Sequence, residues 1–207
     1  MNPSVDALRR EFGDRIGRVA ESCGDTIVYV QAESVGDVLG WLRDDPGQLY
    51  NYLIDITAVE YRDPEPPLEL VYLLFSLERR VQLTVKVELP KDGDLVVDSV
   101  VDLWQGANWL EREVYDMFGV RFRGHPDLRR ILMWETYAEG HPLRKDFPLR
   151  GRFSRSEQVR QALHMNPEAH YSLEELSIAD AFQDLPADMQ ERLARGERDR
   201  IPELGEW

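Results

Sequence analysis

Apolar residues recur at two different periods along the first part of the chain. Helical spacing after Ser4 predicts a first helix that ends near Gly24. Its apolar positions are Val5, Leu8, Phe12, Ile16 and Val19. A strand is predicted over residues 25–32, and Ser34 is expected to open a second helix that Pro46 ends.

Four further strands are predicted from apolar and β-branched runs, over residues 53–61, 68–77, 81–89 and 95–101. The run over 81–89 alternates strictly, which is typical of a half-buried antiparallel strand. With a third helix over 108–118, the pattern predicts an α+β fold. We expect a two-layer domain, with helices packed on a mainly antiparallel sheet, followed by an extended C-terminal segment.

The predicted third helix has terminal signals and one apolar stripe. Asn108 can cap it, Glu111 can reach back to complete a capping box, and Gly119 is placed to end it in the left-handed conformation. The stripe that should face the core is Leu110, Val114, Met117 and Phe118. The side chains expected to point outward, free to pair, are Glu111, Arg112, Tyr115 and Asp116.

The periodic pattern ends near residue 120, because proline and glycine then recur too densely for regular elements. We predict three parts: an α+β domain over 1–120, a basic extended segment over 121–152, and an acidic tail over 153–207. Ser172 and Glu175 are spaced as a capping box, which predicts some helix in the tail. The tail has little apolar surface of its own, so we expect partner proteins to order it.

Charge separates these parts. The net charge of −14 argues against nucleic acid as a partner. Residues 121–152 nevertheless hold eight basic and four acidic side chains. The basic segment either docks on the acidic body of the same chain or meets a negative partner protein, and both interpretations stay open.

Several kinds of chemistry find no support in the sequence. The single cysteine, Cys23, cannot hold an iron–sulfur cluster or a four-cysteine zinc site, and the four histidines lack a helical ligand pair. Glu111, Glu113 and Asp116 could be imagined as acid–base groups, but Arg112 lies among them, and a charged helix face of this kind is usually solvated or interfacial. We expect a soluble intracellular chain without an active site, cofactor or metal, because no nucleotide, nucleophile or membrane-spanning signature is present.

Two tandem cationic pairs, Arg129-Arg130 and Arg144-Lys145, lie on chain stiffened by proline. Guanidinium groups presented in this way can form bidentate pairs with partner carboxylates. The alternative is a set of solvent-exposed pairs that contribute at most about 1 kcal/mol.

The same residues resemble the 30 kDa subunit, also called the C subunit, of proton-pumping NADH:quinone oxidoreductase, respiratory complex I. The resemblance is carried by residues 111–113, 116–120, 124–132 and 140–148, and by 55–61, where Glu60 stands in place of the more usual Asp. It covers roughly residues 50 to 150.

The resemblance implies a non-catalytic subunit of the peripheral arm, at the cytoplasmic face of the bacterial cell membrane. It implies contact with the quinone-site subunit, the D subunit, with the B and I subunits nearby, and places FMN, iron–sulfur clusters and quinone in those and other partners. The membrane would be reached only through the complex. The expected interface residues are Glu111, Arg112, Glu113, Asp116, His125, Asp127, Arg129, Arg130, His141, Arg144, Lys145 and Asp146.

Two alternative interpretations belong to other classes of protein. Membrane-bound hydrogenases and ferredoxin-linked quinone reductases use similar C subunits, so the chain could be the equivalent peripheral subunit of such a complex. An independent soluble enzyme is the interpretation that the residues support least.

Overall fold

The computed structural model describes residues 2–61, 68–90, 93–134, 137–149 and 151–152. The helices are α1 (Ser4–Phe12), α2 (Val35–Asp44) and α3 (Ala107–Phe118), with 3-10 turns at Gly13–Arg15 and Ala32–Ser34. The strands are β1 (Ile16–Ser22), β2 (Asp25–Val30), β3 (Tyr52–Val59), β4 (Leu68–Ser76), β5 (Val81–Leu89), β6 (Val96–Asp98) and β7 (Arg121–Arg123). These residues all belong to one compact unit, Met1–Ser154.

The main sheet has five strands in the order β1-β2-β5-β4-β3. Three of its four pairings are antiparallel, and β2 with β5 is parallel. A second, two-stranded parallel sheet joins β6 to β7. The α+β prediction is confirmed, and the strictly alternating strand over 81–89 is β5.

One face of the sheet forms the core with the three helices. The register aligns Ile56, Tyr72, Val85 and Val28 across four strands, and all four are buried. From the helices, Leu8, Leu39 and Val114 belong to the same apolar cluster. Burial of this shared surface holds the two layers together.

The first helix is much shorter than predicted. It ends at Phe12, because Gly13 takes a φ of 52°, and residues 16–22 form β1 instead. Ile16 is buried as a strand residue, although its spacing from Phe12 also fits a helix. The strand predicted over 95–101 is likewise shorter, since only β6 forms there.

The basic segment is largely irregular, but it begins with a strand. β7 pairs with β6 from the predicted α+β domain, so residue 120 is followed at once by chain that belongs to a sheet. The helix predicted after Ser172 and the acidic tail lie outside the described residues. Within those that are described, no helix combines the length and apolarity needed to cross a membrane.

Candidate functional site

The helix α3 carries the charged residues of the sequence motif. It begins after Gly106 and ends at Gly119, whose φ of 82° is the predicted left-handed conformation. Asn108 lies inside the helix, and the residue before the helix is a glycine without a side chain. The predicted capping box is therefore wrong, and the carboxylate of Glu111 has another use.

Glu111 points into the protein rather than outward as predicted. Its side chain is fully buried and accepts hydrogen bonds of 2.7 Å from the Ser99 hydroxyl and the Val100 N–H. Burial raises the pKa of Glu111 to about 7, and these two hydrogen bonds oppose the rise. The carboxyl holds the chain that follows β6 against α3, and it has no surface to offer a partner.

Asp116 is also fully buried, again contrary to the predicted outward orientation. One carboxylate oxygen accepts three successive backbone N–H groups, from Ile131, Leu132 and Met133, at 3.0, 2.7 and 2.8 Å. The other receives Nη1 of Arg130 at 2.6 Å. Burial favours a higher pKa for Asp116, but these four donors together hold the pKa below its usual range.

The adjacent residues Arg129 and Arg130 have different surroundings. The side chain of Arg130 is only 12% exposed; its Nη2 donates to the Gly140 carbonyl at 2.9 Å, and its guanidinium lies 5.2 Å from the Tyr137 ring centroid. Arg129 is 61% exposed and pairs with the exposed Asp127 at 2.9 Å. Arg130 thus acts inside the chain, and Arg129 lies at the surface.

Arg112 fastens the same segment from one turn earlier on α3. Its Nε and Nη2 donate to the carbonyls of Arg129 and Arg130, both at 3.1 Å. A guanidinium fork suits two neighbouring carbonyls because its donors are fixed in one plane. Arg112, which is half-buried, therefore orients the chain that leads into the Asp116 site.

Two half-buried histidines complete the attachment. His141 Nδ1 donates to the Asp116 carbonyl at 3.0 Å, since a carbonyl can only accept, and its ring lies against Gly119. His125 Nδ1 accepts the Asp127 N–H at 3.0 Å, so its Nε2 donates to the Asn108 carbonyl at 3.2 Å. Both imidazole rings therefore hold the backbone of the basic segment against α3.

A further carboxylate, Glu60, anchors the loop after His141. It is buried just beyond the end of β3 and accepts the Lys145 N–H at 2.7 Å, with the half-buried Arg144 guanidinium 3.5 Å away. Sequence reasoning did not place Glu60 in the site. The sequence did hold one indication of its role, because Glu60 occupies a motif position where the family usually has another acidic residue, Asp.

Of the twelve predicted interface residues, five are exposed: Glu113, Asp127, Arg129, Lys145 and Asp146. Asp146 pairs with Arg152 at 3.4 Å. For the Lys145 ammonium, no carboxylate partner is found in the described part of the chain. Whether any of the twelve contacts another protein stays a prediction.

Sequence reasoning missed a set of exposed apolar side chains at this site. They are Trp109, Ile131, Leu132 and Leu143, with exposed fractions of 60, 36, 59 and 51%. Trp109 lies on α3, and the other three lie on the segment that α3 holds. Nothing in their spacing distinguishes them from core residues, because the segment has no periodicity.

The arrangement consists of carboxylates and guanidinium groups whose hydrogen bonds go mostly to backbone of the same chain. Across the described ranges, His, Cys, Asp and Glu side chains are not grouped in a way that could hold a metal ion. These contacts fix the shape of the surface that α3 and the basic segment form together.

The sequence matches the family described as "Respiratory-chain NADH dehydrogenase, 30 Kd subunit" over residues 28–153. The chain belongs to this family. The resemblance seen in the sequence is thereby confirmed, and the matched residues include every contact described above between α3 and the basic segment.

Curated relatives of the 30 kDa subunit family are named as the C subunit of NADH-quinone oxidoreductase. The protein from Citrifermentans bemidjiense is 43% identical over 150 residues, which is 72% of this chain and 91% of the relative. The protein from Geobacter sulfurreducens is 44% identical over 151 residues, with the same coverage. The protein from Roseiflexus sp. (strain RS-1) is 46% identical over 70% of this chain and 82% of its own length.

Two solved structures share this fold. The trypsin-resistant fragment (1-134) of Nqo5 is 31% identical with a TM-score of 0.52, over 60% of this chain and 98% of the fragment. A chain of the membrane-bound sulfane sulfur reductase, an archaeal respiratory membrane complex, is 25% identical with a TM-score of 0.53. That match covers 70% of this chain and 84% of the other.

Proposed function

We propose that this chain is a non-catalytic structural and assembly subunit of the peripheral arm of NADH:quinone oxidoreductase. In this role it supports electron transfer from NADH to quinone, coupled to proton translocation, without carrying electrons. Its partners are the quinone-site D subunit, with which it packs, and the B and I subunits. FMN, iron–sulfur clusters and quinone reside in partner subunits, and the chain is peripheral at the cytoplasmic face of the bacterial cell membrane.

One observation carries the proposal of a structural role: the charged groups of the family motif are used to attach the basic segment to α3. Asp116 binds three backbone N–H groups and Arg130, and Arg112 binds two backbone carbonyls. A catalytic carboxylate needs access to a substrate or a water molecule, and both buried carboxylates of α3 lack that access. The names of the relatives support the choice of complex.

The proposal is tested in a strain that lacks the gene. Without the chain, membranes should lose NADH:quinone reductase activity together with the co-purified partner subunits, and the restored full chain should recover both. The exposed carboxylates Glu113 and Asp127 provide the check on catalysis. Complex assembled with Glu113→Gln and Asp127→Asn should turn over at the wild-type rate; loss of turnover in fully assembled complex would contradict a non-catalytic role.

The second candidate is the equivalent peripheral subunit of another membrane-bound complex, a hydrogenase or a ferredoxin-linked quinone reductase. The similarity to a chain of the archaeal sulfane sulfur reductase favours keeping it, because that complex is also a respiratory membrane assembly. The composition of the native complex separates the candidates. Flavin-bearing subunits that oxidise NADH support the first, whereas a nickel-ligating large subunit, or activity only with reduced ferredoxin, supports the second.

A further inference from the structure

Four exposed apolar side chains lie on or beside α3: Trp109 in its first turn, and Ile131, Leu132 and Leu143 on the loops bound to its second half. Single exposed apolar residues are common on protein surfaces and need no explanation. A contiguous apolar patch is different, because it marks a site of interaction.

Hydrogen bonds hold the backbone of three of these residues next to the second half of α3. The N–H groups of Ile131 and Leu132 bind the Asp116 carboxylate, and the N–H of Leu143 binds the Met117 carbonyl at 3.0 Å. Two separate loops are therefore fastened to consecutive residues of one helix. Trp109 lies seven residues before Asp116, which places it on the same side of α3 about two turns away.

The backbone that carries the patch is already ordered. Arg112 and Asp116 bind backbone groups of residues 129–133, and His141 of the second loop binds the Asp116 carbonyl, so both loops are fastened to α3 while the apolar side chains stay exposed. A surface ordered in advance loses little conformational entropy on binding, which leaves more of the contact energy for affinity. Tryptophan in such a patch is a common energetic centre of protein interfaces.

The border of the patch carries charges of both signs, and Lys145 is its exposed cation without a carboxylate partner among the described residues. Leu143 and Lys145 line one groove of about 480 Å³ with Phe147 and Leu149. Lys145 is exposed, and its backbone is fixed by Glu60. On the other loop, Arg129 is 61% exposed beside Asp127.

We propose that Trp109, Ile131, Leu132 and Leu143 form the apolar centre of a docking surface for another protein subunit. That subunit presents apolar side chains bordered by a carboxylate, which meets Lys145. The buried Glu111 and Asp116 are positioning residues for this surface and make no contact across it. The inference rests on the proposed function in one respect, namely that the partner belongs to the same respiratory complex.

The test uses the full chain with an affinity tag, expressed in the strain that lacks the gene. The variants are Leu132→Ser, Leu143→Ser and the double variant. Leu77→Ser is the matched control, because Leu77 is 58% exposed in the turn after β4, at the end of the sheet near Asn51 and away from Glu60. The amount of partner subunit recovered per tagged chain should fall roughly tenfold or more in the double variant and stay within about twofold of wild type in the control.

Thermal unfolding of the isolated chains separates docking from folding. All four variants should unfold at the wild-type temperature if the leucines face solvent in the free chain. A large drop for Leu132→Ser or Leu143→Ser alone would mean that the chain covers its own patch, and would overturn the proposal.

Lys145 tests the chemistry of the partner. Lys145→Glu should reduce recovery of the partner, whereas Lys145→Arg should retain it. Equal recovery with both variants would show that no carboxylate of the partner meets Lys145. If the double variant assembles as well as Leu77→Ser, the docking surface is wrong while the proposed function stands. If the wild-type chain co-purifies with no NADH-oxidising subunits, the proposed function fails, and the same comparison can still be read with whichever complex is recovered.

Discussion

At the scale of single residues, two buried carboxyls one and a half turns apart on α3 have opposite pKa shifts. Glu111 receives one hydroxyl and one N–H, and burial dominates, so its pKa rises to about 7. Asp116 receives three N–H groups and a guanidinium, and its pKa falls. The number and charge of the donors decide which form of a buried carboxyl is stable.

Asp116→Asn should be strongly destabilising. The change leaves Arg130 as a buried cation without its anion, which typically lowers the free energy of unfolding by about 3–5 kcal/mol. Urea unfolding of the full chain at pH 7 measures it. Asp127→Asn is the matched control, because that pair is exposed and should contribute at most about 1 kcal/mol.

The difference in unfolding free energy between wild type and Asp116→Asn should shrink as the pH falls. Because the pKa of Asp116 is lower in the folded state, its contribution is present above its unfolded pKa, about 3.9, and is lost as the pH falls through the folded value. The gap between wild type and Asp116→Asn should therefore narrow in acid. A gap that stays constant from pH 7 to the acid transition would contradict the assignment of charge to Asp116.

Glu111→Gln should alter how stability depends on pH. The ordinary pKa of this carboxyl is 4.5 and the folded value is about 7, so its charge destabilises the fold progressively as the pH rises between them, by about 3 kcal/mol in total. Glutamine cannot ionise. The loss of stability between pH 5 and pH 8 should therefore be smaller in the variant by about 2–3 kcal/mol.

Denaturant unfolding of wild type and Glu111→Gln at pH 5 and pH 8 measures how much stability each protein loses between the two pH values. Any effect of the substitution that does not depend on pH cancels when the two losses are compared. Glu113→Gln, on an exposed position of the same helix, should keep the wild-type dependence. If Glu111→Gln also loses as much stability between pH 5 and pH 8 as wild type does, Glu111 is ionised in the folded protein at neutral pH.

The sequence identified the motif residues but not which way they face. Helical spacing separates apolar from polar positions, and on that basis Glu111 and Asp116 belong outside. Their donors come from residues 99–100 and 130–133, and no local pattern shows that those backbone groups need an acceptor. Buried polar residues of this kind become visible only when the chain is assembled.

At the scale of elements, periodicity predicted α2, α3 and strands β3 to β5 to within a few residues. It failed at α1, because Ile16 and Val19 fit both a helix and the strand that pairs with β2. The deciding feature was Gly13, whose positive φ ends the helix. The parallel pairing of β2 with β5 was not predicted, since pairing depends on contacts distant in sequence.

The end of α3 gives an element-scale prediction. Gly119 has a φ of 82°, and a Cβ there would lie 2.6 Å from Cδ2 of His141. Gly119→Ala should therefore strain the turn and displace the histidine that holds the following loop, and lower the free energy of unfolding by more than about 1 kcal/mol.

Gly106→Ala is the control at the other end of the same helix. Gly106 has a φ of −62°, and a Cβ there meets nothing within 4 Å. Its stability should be unchanged or raised by up to about 1 kcal/mol, because alanine restricts the unfolded chain. Equal losses in the two variants, measured by thermal or denaturant unfolding, would show that the contact with His141 is unimportant.

At the scale of the whole molecule, much of the basic segment's charge is used within the chain. Arg121, Arg123 and Arg130 pair with Asp94, Asp98 and Asp116. Of the two interpretations left open by the sequence, docking on the chain's own body accounts for these three. The exposed Lys145 is the clearest cation left for a partner.

Removal of residues 155–207 should leave a folded domain. The apolar core runs from Val5 to Met133, and the compact unit ends at Ser154. We expect the shortened chain to unfold cooperatively near the wild-type temperature, as followed by circular dichroism, but to assemble less well with its partners. Failure of the shortened chain to fold would show that the tail belongs to the core and that the predicted boundary after residue 152 is wrong.

The parallel pairing of β2 with β5 has a consequence for synthesis on the ribosome. The β1–β2 hairpin leaves the exit tunnel early, but its neighbour in the sheet follows only after α2, β3 and β4. Val28 and Val30 therefore remain without Val85 and Val87, their neighbours on β5, while most of the domain is still being made. The β4–β5 hairpin is local and can form as soon as it emerges, whereas joining it to β2 closes a long loop against chain entropy. Completion of the five-stranded sheet is thus a late event in the life of the nascent chain.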